Sequence, residues 1–194
     1  MAFGRRPWDA ANIDRILVPG ILAGMVAAIP MGLFAMIAAA TYQHRGFYTP
    51  MYHIASLLTD EPILLSLKEA ARGDLFFLDT QTVFFGVATH LAVSAFFGAI
   101  FALVAWIAGS RMRIVLAGLA YGLLIMVFMG FVLLPVVAAV LGGGELVSSM
   151  PSVAGWWTFT FQHIIFGLVL GLWPWLGPRD VPSRFTAWAE RRRR

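Results

Sequence analysis

The sequence predicts an all-α integral membrane protein that crosses the bilayer four times. The chain has 194 residues, of which 60% are hydrophobic and only 12% are charged, and its mean hydropathy is +0.80. Soluble domains are closer to half apolar and a quarter charged, so this composition favours lipid as the main solvent. Four apolar runs reach the length of about 20 residues that a helix needs to cross the hydrocarbon core.

The four runs predict a single transmembrane domain over residues 16–176. The predicted spans cover residues 16–42, 83–108, 114–141 and 156–176. A cytoplasmic N-terminal segment, residues 1–15, precedes this domain, and a basic cytoplasmic tail, residues 177–194, follows it. The first run is longer than the apolar core of a cleaved signal peptide, which has roughly 7–15 residues, so we interpret it as a retained span.

The basic residues predict the orientation of these spans, because Lys and Arg accumulate on the cytoplasmic side of membrane proteins. Of the 14 Lys and Arg residues, only Arg45, Lys68 and Arg72 fall on the opposite predicted side. The others flank the cytoplasmic ends of the spans: Arg5, Arg6, Arg15, Arg111, Arg113, Arg179, Arg184 and residues 191–194. We therefore expect both termini in the cytoplasm, with the basic flanks bound to anionic lipid headgroups rather than to nucleic acid.

Residue content disfavours most catalytic chemistry. The chain has no cysteine, which excludes disulfides, thiolate metal sites and iron–sulfur clusters. No Asp, Glu, Lys or Arg falls within the predicted spans, so the sequence offers neither a proton relay nor a coupling-ion site. No Ser-His-Asp arrangement is evident, and we do not expect an enzyme.

The one long connection, residues 43–82, is predicted to carry a short helix over residues 60–72. Asp60 suits the N-cap, Pro62 suits the first turn, and Gly73 suits the position just past the end. Its apolar residues recur on one face. We expect this helix to lie on the outer surface and to cap the bundle rather than to act as a lid over a site.

An internal repeat relates the first pair of spans to the second. The spacing of small residues in the first span recurs in the third, and the distance from a histidine to a glycine in the second recurs in the fourth. The matching residues are Gly20, Gly24, Met31 and Gly32 with Gly118, Gly122, Met129 and Gly130, and His90 and Gly98 with His163 and Gly171. This pattern predicts two similar hairpins of the same orientation around a pseudo-two-fold axis along the membrane normal.

His90 and His163 are predicted to lie well inside the hydrocarbon and at the same depth, about 10 Å from the outer ends of their spans at roughly 1.5 Å per residue. An intramembrane ionisable residue is a candidate functional site by default. Small residues one and two turns below each histidine are expected to line a site that admits a flat cofactor: Ser94, Gly98, Gly167 and Gly171.

The sequence leaves several interpretations of this pair open. The histidines could ligate one b-type haem between the second and fourth helices. They could bind copper or zinc, with His44 or His53 of the outer loop as further ligands. Each could instead hydrogen-bond across a helix interface, with Thr89 or Gln162 as polar neighbours. A contact with a quinone or a lipid is the remaining possibility.

Two segments carry a resemblance to a known family: YTPMYHIA, which is Tyr48–Ala55, and QHIIFG, which is Gln162–Gly167. With the histidine of the second span, the chain resembles a family of small bacterial four-helix membrane proteins of unknown function. Members have a Thr-Pro-x-x-x-Ile-Ala segment after the first span and a histidine in the second and fourth spans. The resemblance covers most of residues 15–176. It implies the four-helix fold, the paired histidines and a place in the bacterial plasma (inner) membrane, and it implies no activity.

Together these features predict a non-catalytic membrane subunit or accessory protein. Its expected partners are membrane lipids and either other membrane subunits or a second copy of the chain. The alternative is a b-type haem-binding subunit of an electron-transfer assembly, with His90 and His163 as axial ligands. A small-molecule permease has less support, because the predicted spans contain no polar pathway.

Overall fold

The computed structural model describes residues 10–58, 62–108, 111–142 and 144–176, and every regular element within them is a helix. In chain order the helices are α1 (Ala10–Ala40), α2 (Thr49–Ala55), α3 (Pro62–Ala71), α4 (Thr80–Ala108), α5 (Arg111–Phe128), the π-helical segment Met129–Leu133, α6 (Leu134–Leu141), α7 (Gly144–Ser148), α8 (Met150–Ala154) and α9 (Trp156–Leu176). The predicted all-helical class is confirmed over the described residues. The terminal segments predicted for residues 1–15 and 177–194 lie largely or wholly outside them.

Three helical stretches are long and apolar enough to cross a membrane: Ile16–Ala40, Thr80–Ala105 and Met112–Leu141. They coincide with the first three predicted spans. Helix α9 has 21 residues and packs against α1 and α5, but it is not one of the three stretches that meet this requirement among the described residues. A fourth crossing by α9 therefore stays a prediction.

The third of these stretches changes helix type along its length. Helix α5 passes into the π-helical segment Met129–Leu133, and Pro135 stands in the first turn of α6. Proline has no N–H to donate to the preceding turn, and a π-helical turn is one way in which a helix accommodates such an interruption. Helix α1, by contrast, continues as an α-helix through Pro19 and Pro30.

Helices α1 and α4 approach each other through glycines. A Cβ built on Gly24 would stand 2.1 Å from the carbonyl oxygen of Ser94. A Cβ on Gly98 would stand 2.3 Å from the carbonyl oxygen of Gly20 and 2.6 Å from the Cα of Gly24. Because no real Cβ approaches backbone atoms this closely, the α1–α4 interface requires glycine at these positions, as small-residue packing between membrane helices does generally.

The same pattern of contacts joins α5 to α9. A Cβ on Gly122 would stand 2.2 Å from the carbonyl oxygen of His163, and one on Gly167 would stand 2.2 Å from the carbonyl oxygen of Gly118. A Cβ on Gly171 would meet the Cα of Val115 at 2.8 Å. Glycines thus bring the helix backbones together in both interfaces.

The contacts change one detail of the predicted repeat. Aligned by their glycine neighbours, Ser94 on α4 corresponds to His163 on α9, and Gly98 corresponds to Gly167. The sequence match had instead paired His90 with His163, which differs from the contact alignment by four residues, or about 6 Å along a helix. The two histidines therefore lie at different levels relative to their partner helices: His163 is level with Gly122 of α5, whereas His90 lies one turn before the residue that is level with Gly24 of α1.

The short helices between α1 and α4 form a cap beside the end of the bundle. Helix α3 matches the helix predicted over residues 60–72, and its Ile63 and Ser66 are buried. The hydroxyls of Ser66 and Thr49 are 2.9 Å apart and link α3 to α2. Helix α2 rests on α4 at Gly86, where a Cβ would stand 2.1 Å from the carbonyl oxygen of Met51. The predicted capping helix is therefore accompanied by a second one, α2.

The largest apolar core lies where α1, α4, α5 and α9 meet. Its buried residues are Ala23, Ala27, Phe97, Phe101, Tyr121, Ile125, Phe166 and Leu170. The one hydroxyl in this set is satisfied, because Tyr121 donates a hydrogen bond of 2.8 Å to the carbonyl oxygen of Phe97. This core closes one side of the cavity that contains the two histidines.

Candidate functional site

Two small cavities, each of about 60 Å³, lie at the end of the bundle that α2 and α8 cover, and His90 borders both of them. The first, which we call the His/Met cavity, lies between the long helices and is also bordered by Met31, Ser94, Met129 and His163. The second, the loop cavity, lies beneath α2 and α8 and is also bordered by His53. The structure therefore brings the two predicted site histidines to one cavity.

Each histidine uses one ring nitrogen to bind a backbone carbonyl. His90 donates from Nε2 to the carbonyl oxygen of Ala28 on α1, at 3.1 Å. His163 donates from Nδ1 to the carbonyl oxygen of Phe159, one turn earlier on α9, at 2.7 Å. A carbonyl oxygen can only accept, so these bonds assign the proton to Nε2 of His90 and to Nδ1 of His163.

The other nitrogen of each ring, Nδ1 of His90 and Nε2 of His163, is an unprotonated acceptor. Neither has a hydrogen-bond partner among the described residues. No fully enclosed side-chain nitrogen or oxygen of those residues lacks a partner, so neither of these two nitrogens is completely enclosed. Both histidines are therefore fixed in one tautomer and keep a lone pair available.

The small residues predicted to line the site behave in two ways. Ser94 borders the His/Met cavity. Gly98, Gly167 and Gly171 instead face the backbones of α1 and α5 at distances that exclude even a methyl group. The partner helices occupy the space beside these glycines, because small residues in membrane helices most often allow close backbone packing.

The size of the His/Met cavity bears on the haem hypothesis. A water molecule needs roughly 10–15 Å³ of cavity measured in this way, so a cavity of about 60 Å³ has room for a few waters or one ion. A haem macrocycle is many times larger and would require α4 and α9 to separate. The residues present therefore do not fit a haem in this packing.

The two histidines in the connection between α1 and α4, His44 and His53, occupy different surroundings. His44 is exposed and has a positive φ of 52°. His53 is buried on α2 and donates from Nε2 to the carbonyl oxygen of Leu146 at 2.8 Å. Burial, and secondarily repulsion from Arg45, lowers the pKa of His53 to about 4, while its bond to Leu146 acts in the opposite direction. No group of three His, Asp or Glu side chains suited to a metal occurs among the described residues.

Sequence reasoning missed a polar cluster where α1 leaves the bundle. Gln43 donates from Nε2 to the carbonyl oxygen of Ala154 and to the hydroxyl of Thr158, both at 2.7 Å. The hydroxyl of Tyr42 also bonds that of Thr158, and the guanidinium of Arg45 donates to the carbonyl oxygen of Val153. These bonds hold the end of α1 against α8 and α9. Their only signal in the sequence is a group of polar residues immediately after an apolar run.

No protein-family model matches the chain, and comparisons with curated proteins and with solved structures find no match. The resemblance to small bacterial four-helix membrane proteins therefore stays a prediction.

Proposed function

We propose that this chain is a non-catalytic integral membrane protein, a subunit or accessory component that acts through contacts within the bilayer. The observation that carries this proposal is the state of the two histidines in the long helices. Each donates to a backbone carbonyl, which positions a side chain and moves no substrate. Two polar residues near them, Tyr121 and Gln43, also bond within the chain.

The permease alternative has little support in the cavities. Both have volumes of about 60 Å³, and the ion pair between Arg72 and Glu69 lies at the end of α3, away from both cavities. A pathway for a polar solute needs a continuous series of polar groups or a wide opening. The polar lining of the loop cavity, which includes Arg45 and Gln162, ends at the apolar core around Phe97, so the described residues form no polar series across the bundle.

We also propose that α9 is a fourth span and that the chain is a duplicated hairpin in a bacterial plasma (inner) membrane, with both termini cytoplasmic. The repeated glycine contacts support the duplication: Gly24 and Gly98 in one interface match Gly122 and Gly167 in the other. The close contacts of α9 with α5 at Gly118, Gly122, Gly167 and Gly171 support the fourth span, because they place α9 against a candidate span. The excess of basic residues at one end supports the orientation.

The b-type haem alternative remains a second proposal with weaker support, because it requires the helices to part. An absorption spectrum of the detergent-purified protein tests it. A Soret band that disappears in both His90→Ala and His163→Ala would favour haem. A colourless protein from haem-supplemented cells would count against it.

The subunit proposal is tested by photo-crosslinking in native membranes. A benzophenone side chain replaces one exposed apolar residue on each long helix: Ile29, Phe96, Leu124 or Phe161, which are 63%, 62%, 64% and 51% exposed. We expect one or two of these faces to yield a single defined protein adduct, either a second copy or one partner, and the other faces to yield lipid adducts.

The same side chain at Phe76, in the outer cap and 67% exposed, controls for random collisions. Protein adducts of equal intensity at all positions would mean non-specific crowding. Lipid adducts alone at all four faces would mean that the protein works by itself, and either result contradicts the proposal.

A further inference from the structure

The His/Met cavity is bordered by one methionine or histidine from each of α1, α4, the π-helical segment and α9, and these side chains carry sulfur or nitrogen atoms that can bind a metal ion. Met31 comes from α1, His90 from α4, Met129 from the π-helical segment and His163 from α9. Met31 and Met129 occupy matching places in the internal repeat. The rest of the lining is apolar apart from Ser94, so the four side chains are the donors that an ion in this cavity would meet.

The hydrogen bonds of the two imidazoles suit metal ligation. A ligating histidine usually donates its other ring N–H to a carboxylate or a backbone carbonyl, which fixes its tautomer and orientation. His90 does this towards Ala28 and His163 towards Phe159. The lone pairs of Nδ1 in His90 and Nε2 in His163 therefore remain available, and both lie on side chains that border the same cavity.

The charge and softness of the donors select the ion. Thioether sulfur favours soft ions such as Cu(I), and imidazole accepts copper readily. Two thioethers and two neutral imidazoles carry no negative charge, and no carboxylate belongs to the described lining. The cost of placing an ion in a low-dielectric interior rises with the square of its charge. For an ion of similar size, the free-energy cost of transfer from water into the cavity is therefore about four times lower for Cu(I) than for Zn²⁺ or Cu(II).

Two further features agree with a single small ion. The cavity volume of about 60 Å³ fits an ion and excludes a macrocycle. The π-helical segment begins at Met129, and isolated π-helical turns occur frequently at functional sites because they redirect a side chain that an α-helix would place elsewhere.

We propose that the His/Met cavity binds one Cu(I) ion through the sulfurs of Met31 and Met129, Nδ1 of His90 and Nε2 of His163. This inference goes beyond the subunit proposal and does not depend on it. A copper-free protein that crosslinks to a partner would leave the subunit proposal intact, and a copper-binding protein without a partner would leave the copper site intact.

The test uses the full chain in detergent under anaerobic conditions. Cu(I) is supplied as its coloured bicinchoninate complex, and its transfer to the protein is followed by loss of that colour. We expect one Cu(I) per chain, together with an X-ray absorption spectrum that requires both sulfur and nitrogen neighbours. Bound copper also raises the melting temperature, because only the folded chain binds it.

Variants assign the ligands. Met31→Leu and Met129→Leu nearly conserve volume, so the fold is retained. Each is expected to weaken Cu(I) binding by at least about 10-fold, because even the loss of a residue that only orients a metal ligand costs about 10- to 100-fold. Met126→Leu is the matched control. Met126 lies one turn before Met129, packs against the neighbouring apolar cluster and does not border the cavity, so its replacement should leave the affinity unchanged.

Three results would overturn the proposal. One is failure of the protein to take Cu(I) from the chelator. Another is transfer that Met31→Leu and Met129→Leu leave unaffected while both variants keep the melting temperature of the parent. The third is binding of Zn²⁺ at the same histidines in preference to Cu(I).

Discussion

Replacing Gly98 by alanine tests the glycine packing of α1 against α4. The added Cβ would stand 2.3 Å from the carbonyl oxygen of Gly20 and 2.6 Å from the Cα of Gly24. Both atoms belong to the backbone of α1, so neither can rotate away. The two helices must move apart by about 1 Å before the contact becomes ordinary, and a gap of that size forfeits up to about half of each dispersion contact along the interface.

The expected change in the free energy of unfolding is the difference between the cost of overpacking and the gain from the higher helix propensity of alanine. Overpacking a tight interface costs typically about 1–3 kcal/mol, and rigid backbone on the far side places Gly98 at the upper end. Alanine is favoured over glycine in a helix by about 0.8–1 kcal/mol, which offsets part of that cost. The net loss should be about 2 kcal/mol, which corresponds to a fall in melting temperature of roughly 4–8 °C for a chain of this size.

The assay is thermal unfolding in detergent, followed by circular dichroism. Gly167→Ala should cause a similar loss, because its Cβ would stand 2.2 Å from the carbonyl oxygen of Gly118. Gly130→Ala is the control, since its nearest neighbour is a side-chain atom, the Cγ of Pro151, at 3.3 Å, and it should stay within about 1 kcal/mol of the parent. A Gly98→Ala protein that melts at or above the parent temperature would refute the packing.

Three further predictions concern buried polar groups. The pKa of His53 is about 4 in the folded protein against 6.5 ordinarily, so folding favours its neutral form. The free energy of unfolding is therefore highest above about pH 6.5 and decreases as the pH falls from 6.5 towards 4. At about 1.36 kcal/mol per pKa unit the loss is about 3 kcal/mol, and His53→Gln should show a flatter dependence of melting temperature on pH over that range; equal curves for both proteins would contradict it. Tyr121→Phe removes the bond to Phe97 and should cost about 1 kcal/mol in thermal unfolding, whereas an unchanged melting temperature would count against that bond. Thr158→Val removes the hydroxyl shared by Tyr42 and Gln43 and should speed proteolytic cleavage of the loop after α1, while wild-type cleavage rates would mean that the cluster does not hold that loop.

The sequence predicted the long helices well, because their signal is strong and local. The predicted starts and ends of the first three spans fall within a few residues of α1, α4 and the α5–α6 stretch, except that α1 begins earlier, at Ala10. Asp60, Pro62 and Gly73 together predicted α3. Helices α2, α7 and α8 were not predicted, since elements of 5–7 residues are too short to show a helical period and depend on tertiary contacts.

The candidate site was predicted only in part. Sequence spacing identified His90 and His163 as a pair, and both border the same cavity. Their pairing within the repeat differs by one turn from the pairing that the helix contacts give, because the match of His90–Gly98 with His163–Gly171 compares residue types, while the helices pack in a register set by Gly98 and Gly167. Their equal depth in the membrane stays a prediction. The sequence predicted only that Met31 and Met129 match each other in the repeat, because a methionine in an apolar run does not indicate which cavity it borders.

Membrane topology is the most direct test of the four-span, two-hairpin architecture on which these proposals depend. The chain has no cysteine, so Phe76→Cys in the outer cap and Ser183→Cys in the basic tail each introduce a single thiol for labelling by a membrane-impermeant maleimide. In intact cells, with the outer membrane made permeable, we expect labelling at residue 76 alone, and labelling at residue 183 only after the plasma membrane is opened. Labelling of residue 183 in intact cells would place the tail outside, leave three spans and contradict the two-hairpin account.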